Sequence, residues 1–332
     1  MNMKQWFSGI TEMEKKKAMP VLSFPATTKM GLTVRELITD STMQAEGMKL
    51  IADTCDTLAS VSLMDLSVEA EAFGSEIKVD DHEVPTVVGS IVNCEEDAEN
   101  LAIPSVGAGR TGIYIESMKK ACGLIKDRPV FAGIIGPFSL SGRLMDMTEI
   151  MLNCYSEPDM VHKCLRKVTA FLIEYSKAYK AAGANGIVMA EPAAGLLSPD
   201  LIEEFSTPYV KQIVDAVQCE EFAFIYHNCG NTIPLIDSIK KVGAYGYHFG
   251  NAIELSDMLA IVPPDMIVMG NVEPAGQFRN GTPESVYNET ARVLKACAQY
   301  PNFVISSGCD IPPLSPWENI DSFFKAVSDF YQ

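Results

Sequence analysis

His227-Asn228-Cys229 and, further along the chain, Cys309 in Ser306-Ser307-Gly308-Cys309-Asp310 stand at the ends of two apolar runs that read as strands. Residues two apart on a strand project to the same side, so His227 and Cys229 can grip one ion, with Cys309 delivered by the fold. One imidazole and two thiolates form a zinc donor set, and three protein ligands leave a fourth position for water or a substrate. Such a centre carries formal charge near zero. A further thiolate bound there stays electron-rich, which suits alkyl transfer to sulfur, and its proton leaves on binding. The cysteines at 55, 94, 122, 154, 164, 219 and 297 fall mainly in helical or surface segments and read as structural.

Positioning these residues requires strands that end together. Eight short apolar runs are bounded by Gly, Pro, Asn or Asp: Val21 to Ala26, Ala59 to Leu66, Phe131 to Pro137, Gly186 to Glu191, Phe222 to His227, Tyr245 to Gly250, Asp265 to Val272 and Phe303 to Cys309. Stretches of helical period separate most of them. Leu32 to Thr57 carries a Ser41-Thr42-Met43-Gln44 capping box, and Asp159 to Ala182 has apolar residues at helical spacing. Strand alternating with helix implies parallel strands and right-handed crossovers, and eight such units predict a (β/α)8 TIM barrel, a single α/β domain over 1–332 behind an N-terminal helical segment. An open doubly wound sheet is the runner-up, but no Gly-x-Gly-x-x-Gly follows the first run. Glu76 to Val79 and Pro85 to Val88 alternate around Asp80-Asp81-His82-Glu83, a β-hairpin insertion expected to cover one end of the barrel.

In a barrel the last residues of each strand line the active mouth. Those positions offer Asp65, Glu191, His227, Cys229, His248, Asn271, Cys309 and Asp310. Glu191 is a candidate catalytic group, as a fourth ligand, a proton acceptor or a partner of His227. Asp65, Asn271 and Asp310 are candidates for substrate binding, although Asn and Asp are also ordinary turn residues. His248 reads as a satisfied structural histidine, and Arg143 and Arg279 read individually as surface arginines.

A net charge of -17 excludes a nucleic-acid partner, since phosphate binding needs a basic footprint and only Lys15-Lys16-Lys17 clusters. Nine cysteines without regular pairing in a chain this long suggest a reducing cytoplasm rather than a disulfide framework. The first residues lack the apolar core of a signal peptide, and no run approaches the ~18 apolar residues of a membrane span. The expectation is a soluble, cytoplasmic protein.

The chain resembles the uroporphyrinogen decarboxylase superfamily and, within it, the zinc-dependent methylcobamide:coenzyme M methyltransferase branch. The resemblance runs over nearly the whole chain. It is carried by Asp65-Leu66-Ser67-Val68-Glu69-Ala70-Glu71-Ala72, Gly136-Pro137-Phe138-Ser139-Leu140, Glu191-Pro192-Ala193-Ala194-Gly195, His227-Asn228-Cys229-Gly230-Asn231, Met269-Gly270-Asn271-Val272-Glu273-Pro274 and Ser307-Gly308-Cys309-Asp310. It implies a barrel, with His227, Cys229 and Cys309 as ligands of Zn2+. It also implies methyl transfer from a methylcobamide carried by a partner corrinoid protein to a small thiol such as coenzyme M. The decarboxylases are similar to one another in an N-terminal arginine-rich motif that has no counterpart here before Arg35, and they lack the His-x-Cys pair. Many methyltransferase relatives have an acid where this chain has His248, which leaves the fourth ligand open. A decarboxylase-type lyase, a corrinoid methyltransferase using tetrahydrofolate and a non-catalytic zinc-stabilised barrel are the alternatives.

Overall fold

The computed structural model describes residues 1–332. Its strands, numbered in chain order, are β1 (Ser60–Val61), β2 (Glu76–Lys78), β3 (Thr86–Val88), β4 (Val130–Ile135), β5 (Gly186–Ala190), β6 (Ala223–Asn228), β7 (Gly246–Phe249), β8 (Ile267–Val272) and β9 (Phe303–Ser307). Seven of them form one parallel sheet in the order β1-β4-β5-β6-β7-β8-β9, and β2 pairs antiparallel with β3. Each strand lies beside the next in sequence because the intervening helices carry the chain back across the outside of the sheet.

The sheet curls into an incompletely closed barrel. The apolar run at Val21 to Ala26, expected as the first strand, does not become one, which corrects the eight-strand count. Pro20 and Pro25 cannot donate to a ladder, and Ala26–Met30 is already helical. The gap between β9 and β1 is bridged slightly earlier. Ala18 bridges Thr57, Leu58 N–H donates to Ala18 at 2.8 Å, and Met19 N–H donates to Ile305 at 3.0 Å.

Alternation along the strands separates an inner from an outer core. Val188, Ala190, Ala223, Ile225, Met269 and Val304 face inward with Val21, Val61 and Phe131, whereas Ile187, Phe224, Tyr226, Val268 and Ile305 face the helices. The helix Met3–Ile10 plugs the bottom of the lumen. Asn2 caps it through Gln5 N–H at 2.9 Å, and Met3, Phe7 and Ile10, spaced on one helical face, are buried against the inner cluster. Each such side chain contributes roughly 1.5–3 kcal/mol. Continued one step upward, the same alternation turns His227, His248, Asn271 and Ser306 into the lumen, above the apolar floor.

The helix expected over Leu32 to Thr57 is two helices, Val34–Thr39 and Ser41–Thr54. The expected Ser41/Gln44 box does not form. Asp40 caps the second helix, accepting from Thr42 and Met43, while Thr33 and Glu36 make the box that starts the first. The hairpin forms as expected, and Glu83, Val84 and Thr86 line one cavity with Met64, Leu66 and Pro312 at the mouth.

Candidate metal centre at the barrel mouth

β6 delivers the first two donors. Tyr226 and Asn228 face outward, so His227 faces in and the chain leaving β6 carries Cys229 on the same side. Asn228 fixes that exit: its Nδ2 donates to Glu191 O at 2.8 Å and its Oδ1 accepts from Gly230 N–H at 2.9 Å. The turn needs glycines around it. A Cβ on Gly250 would lie 2.6 Å from Cys229 Cα, and one on Gly230 would lie 2.7 Å from Gly195 Cα. β9 then brings Cys309 across the mouth.

The ligand atoms of His227, Cys229 and Cys309 all lie within 4.8 Å of one another, and Cys309 Sγ is 3.4 Å from His227 Nε2. Zinc bonds of about 2.3 Å to sulfur and about 2.0–2.1 Å to nitrogen, set tetrahedrally, separate such atoms by about 3.5 Å. The donor set and spacing therefore fit one tetrahedral ion with a fourth position left over. Taken by themselves, Cys309 and then His227 hold the Cys229 thiol below the usual thiol range, while Cys229 and burial push Cys309 well above it. A bound cation would favour the thiolate of both.

His227 presents the correct nitrogen because of a hydrogen-bond chain behind it. Ser306 Oγ donates to Met19 O at 2.7 Å, so it accepts from His248 Nε2–H, also at 2.7 Å. His248 Nδ1 is then the acceptor for His227 Nδ1–H at 2.7 Å, which leaves the Nε2 lone pair of His227 facing Cys309. Burial first, then the neighbouring His227, pushes His248 well below the usual imidazole range and keeps it neutral. His248 is thus a satisfied structural histidine, hydrogen-bonded on both nitrogens and outside the ligand cluster. Its register with His227 on adjacent strands could have been read from the sequence; the role of Ser306, from a third strand, could not.

The other expected residues are placed as follows. Glu191 is fully buried beside the mouth, and its carboxylate accepts from Ser139 N–H at 2.6 Å and Phe138 N–H at 3.0 Å, at the start of the helix Pro137–Met145. Burial raises it to about 7 against those hydrogen bonds. Asp65 is held by Arg110, by Tyr114 Oη at 2.9 Å and by Ser67 through N–H at 3.0 Å and Oγ at 2.6 Å. Arg110, not singled out in the sequence, also reaches Glu71 at 2.6 Å. Asn271 donates to Gly250 O and Ile253 O, anchoring the loop after β7. Asp310 lines a cavity beneath the hairpin, and its Oδ1 is buried without a partner. Arg279 is half-buried and faces Glu83 at 3.8 Å, and Arg143 is half-buried at the mouth, so neither is the surface arginine the sequence suggested.

Two cavities meet at Leu66 and Arg143. One, of about 350 Å³, is bordered by Cys229 and Gly230; the other, of about 470 Å³, by Asp310 and the hairpin. The cleft at the opposite end, near the helix Met3–Ile10, is larger at about 920 Å³ but is remote from the donor cluster. The mouth thus joins a soft-metal donor set to space for a small molecule.

The uroporphyrinogen decarboxylase (URO-D) family profile matches residues 16–330. The methylcobamide:CoM methyltransferase MtbA of Methanosarcina acetivorans is 28% identical over 294 residues, covering 86% of this chain and 85% of that protein. A methylated-thiol–coenzyme M methyltransferase of Methanosarcina mazei is 25% identical, covering 87% and 77%. A uroporphyrinogen decarboxylase of Coxiella burnetii is 26% identical, covering 82% and 77%. A solved methyltransferase from Methanosarcina mazei shares the fold over 100% of both chains, with a TM-score of 0.88 at 22% identity. The chain belongs to the uroporphyrinogen decarboxylase family and, in sequence, resembles its methylcobamide:coenzyme M methyltransferase branch.

Proposed function

We propose that this protein is a zinc methyltransferase that moves a methyl group from a methylated corrinoid protein to a small thiol such as coenzyme M. The observation that carries this reading is the convergence of His227, Cys229 and Cys309 at the edge of a cavity sized for a small molecule. The names of the methyltransferase relatives support the same chemistry. A zinc ion held by these three residues would supply the Lewis acidity that keeps an acceptor thiol ionised at neutral pH.

The residues divide the remaining work. His227, Cys229 and Cys309 bind the ion and leave one position open. His248 and Ser306 fix the tautomer of His227. Glu191 acts as a positioning residue that ties the helix Pro137–Met145 to the end of β6, and Asn271 does the same for the loop against Cys229. Asp65, through Arg110, braces Leu66 and Ser67 at the mouth, and Asp310 supplies a polar wall to the adjoining cavity. In the reaction a carbon–sulfur bond forms to the thiolate as the cobalt–carbon bond breaks, and the bonding pair remains on cobalt; the thiol proton has already left to solvent.

The test incubates zinc-loaded protein with methylcobalamin and a thiol and follows cob(I)alamin anaerobically by its absorbance. Turnover that is lost on chelation, and in Cys309→Ser together with the zinc, is expected. Full turnover in Cys309→Ser, or steady decarboxylation of a porphyrinogen by metal-free protein, would overturn the reading. Tetrahydrofolate in place of the thiol identifies the alternative acceptor.

A further inference from the structure

Arg143 differs from the other arginines. Arg35, Arg110, Arg128, Arg279 and Arg292 each face a carboxylate, and Arg166 is exposed on the outer helix Pro158–Ala182. Arg143 is half-buried and has no hydrogen-bond or ion-pair partner, yet none of its nitrogens is sealed from solvent. Burial lowers its pKa, as it does for a partly desolvated cation lacking a counter-charge. Asp65, the carboxylate felt at a distance, is already engaged by Arg110 and Tyr114.

The fold fixes the helix that carries this side chain. The helix Pro137–Met145 is held at its start by Glu191, and at its end Asp146 turns the chain sharply with φ of 84°. Asp146 also caps the next helix, accepting from Thr148 N–H at 2.7 Å. Arg143 therefore lines both mouth cavities and shares the smaller one with Cys229, with Leu66, Ile135 and Pro192 as apolar walls. At about 350 Å³ that cavity lies at the small end of ligand sites, so a molecule touching both sides must be short.

We infer that Arg143 binds the anionic end of a short-chain thiol whose sulfur reaches the Cys229 side of the same cavity, and so sets a preference for mercapto acids over neutral thiols. The inference rests on the thiol-acceptor reading above. A planar guanidinium offers paired donors to a carboxylate or a sulfonate, and the apolar walls strengthen that contact by excluding water.

The experiment compares wild-type, Arg143→Lys and Arg143→Gln proteins with 2-mercaptoethanesulfonate, 3-mercaptopropionate and 2-mercaptoethanol, using methylcobalamin as donor. The expected result is a wild-type preference for the charged thiols, expressed as a ratio of kcat/KM values that falls about 10- to 100-fold in Arg143→Gln, mainly through KM. Arg143→Lys should recover part of it, and zinc content near one per chain reports that the variant site is intact. Whichever acid is preferred identifies the anion. An unchanged ratio in Arg143→Gln, or a wild-type protein indifferent to charge, overturns the inference. If no thiol is methylated the proposed function fails instead, and Arg143 is then judged by calorimetric binding of ethanesulfonate, expected in wild type and lost in Arg143→Gln.

Discussion

Replacing His248 by Ala removes the acceptor that holds the proton on His227 Nδ1 and keeps its Nε2 free for the metal. Loss of a hydrogen-bonding partner behind a ligating histidine typically costs 10- to 100-fold in metal affinity. Here the backbone carbonyl of residue 248 lies 3.2 Å from the same Nδ1 and remains as a substitute, so the low end applies. The expected loss is about tenfold in zinc affinity, or ~1.4 kcal/mol. His248→Gln, which retains an acceptor oxygen, should lose less. Ser306→Ala should also weaken zinc, because it frees His248 to carry its proton on Nδ1, donor facing donor. Competition against a chromogenic zinc chelator at fixed pH measures all three. Wild-type affinity in both His248→Ala and Ser306→Ala would refute the hydrogen-bond chain as the device that sets the tautomer.

Three further perturbations probe the surroundings. Asp65→Asn breaks a buried pair whose side chains are 0% and 7% exposed and should cost ~3–5 kcal/mol in urea unfolding while zinc content stays near one per chain; an unchanged midpoint would show that the pair braces nothing. Glu69 is buried with Oε2 unpartnered and is raised to about 8 from 4.5, so its contribution is fully present below about pH 4.5 and is lost as pH rises through about 8. Melting curves should therefore show Glu69→Gln gaining on wild type by a few kcal/mol between pH 5 and pH 9, and parallel pH profiles would contradict this. Gly250→Ala places a methyl 2.6 Å from Cys229 and should lower zinc affinity at least tenfold with little change in helix content by circular dichroism; normal zinc binding would mean that the end of β6 can yield.

Most of the frame was legible because strand ends carry their own punctuation. The runs ending at Glu191, His227, Gly250, Val272 and Cys309 correspond to β5 through β9 within a residue or two, and alternation within them places His227 and Asn271 in the lumen. The closing segment was not legible, because the apolar residues of Val21 to Ala26 look like a strand while Pro20 and Pro25 deny it a ladder. Asp40 outcompeted Ser41 as a cap because its carboxylate reaches two amides at once. At the site, the donor triad could be read from residue type and spacing. The engagement of Glu191 with a helix start, the bracing of Asp65 by Arg110 and the isolation of Arg143 depend on side chains from distant elements. Spacing along one chain does not encode those contacts.

The central claim is that His227, Cys229 and Cys309 hold a metal with a position open to a thiol. Zinc-edge X-ray absorption of the zinc-loaded protein, recorded with and without the thiol, tests it most directly. The expected result is a first shell of two sulfurs and one imidazole nitrogen with a light-atom fourth ligand, which gains a third sulfur at about 2.3 Å when the thiol is added. A closed four-ligand shell that the thiol leaves unchanged would contradict the account.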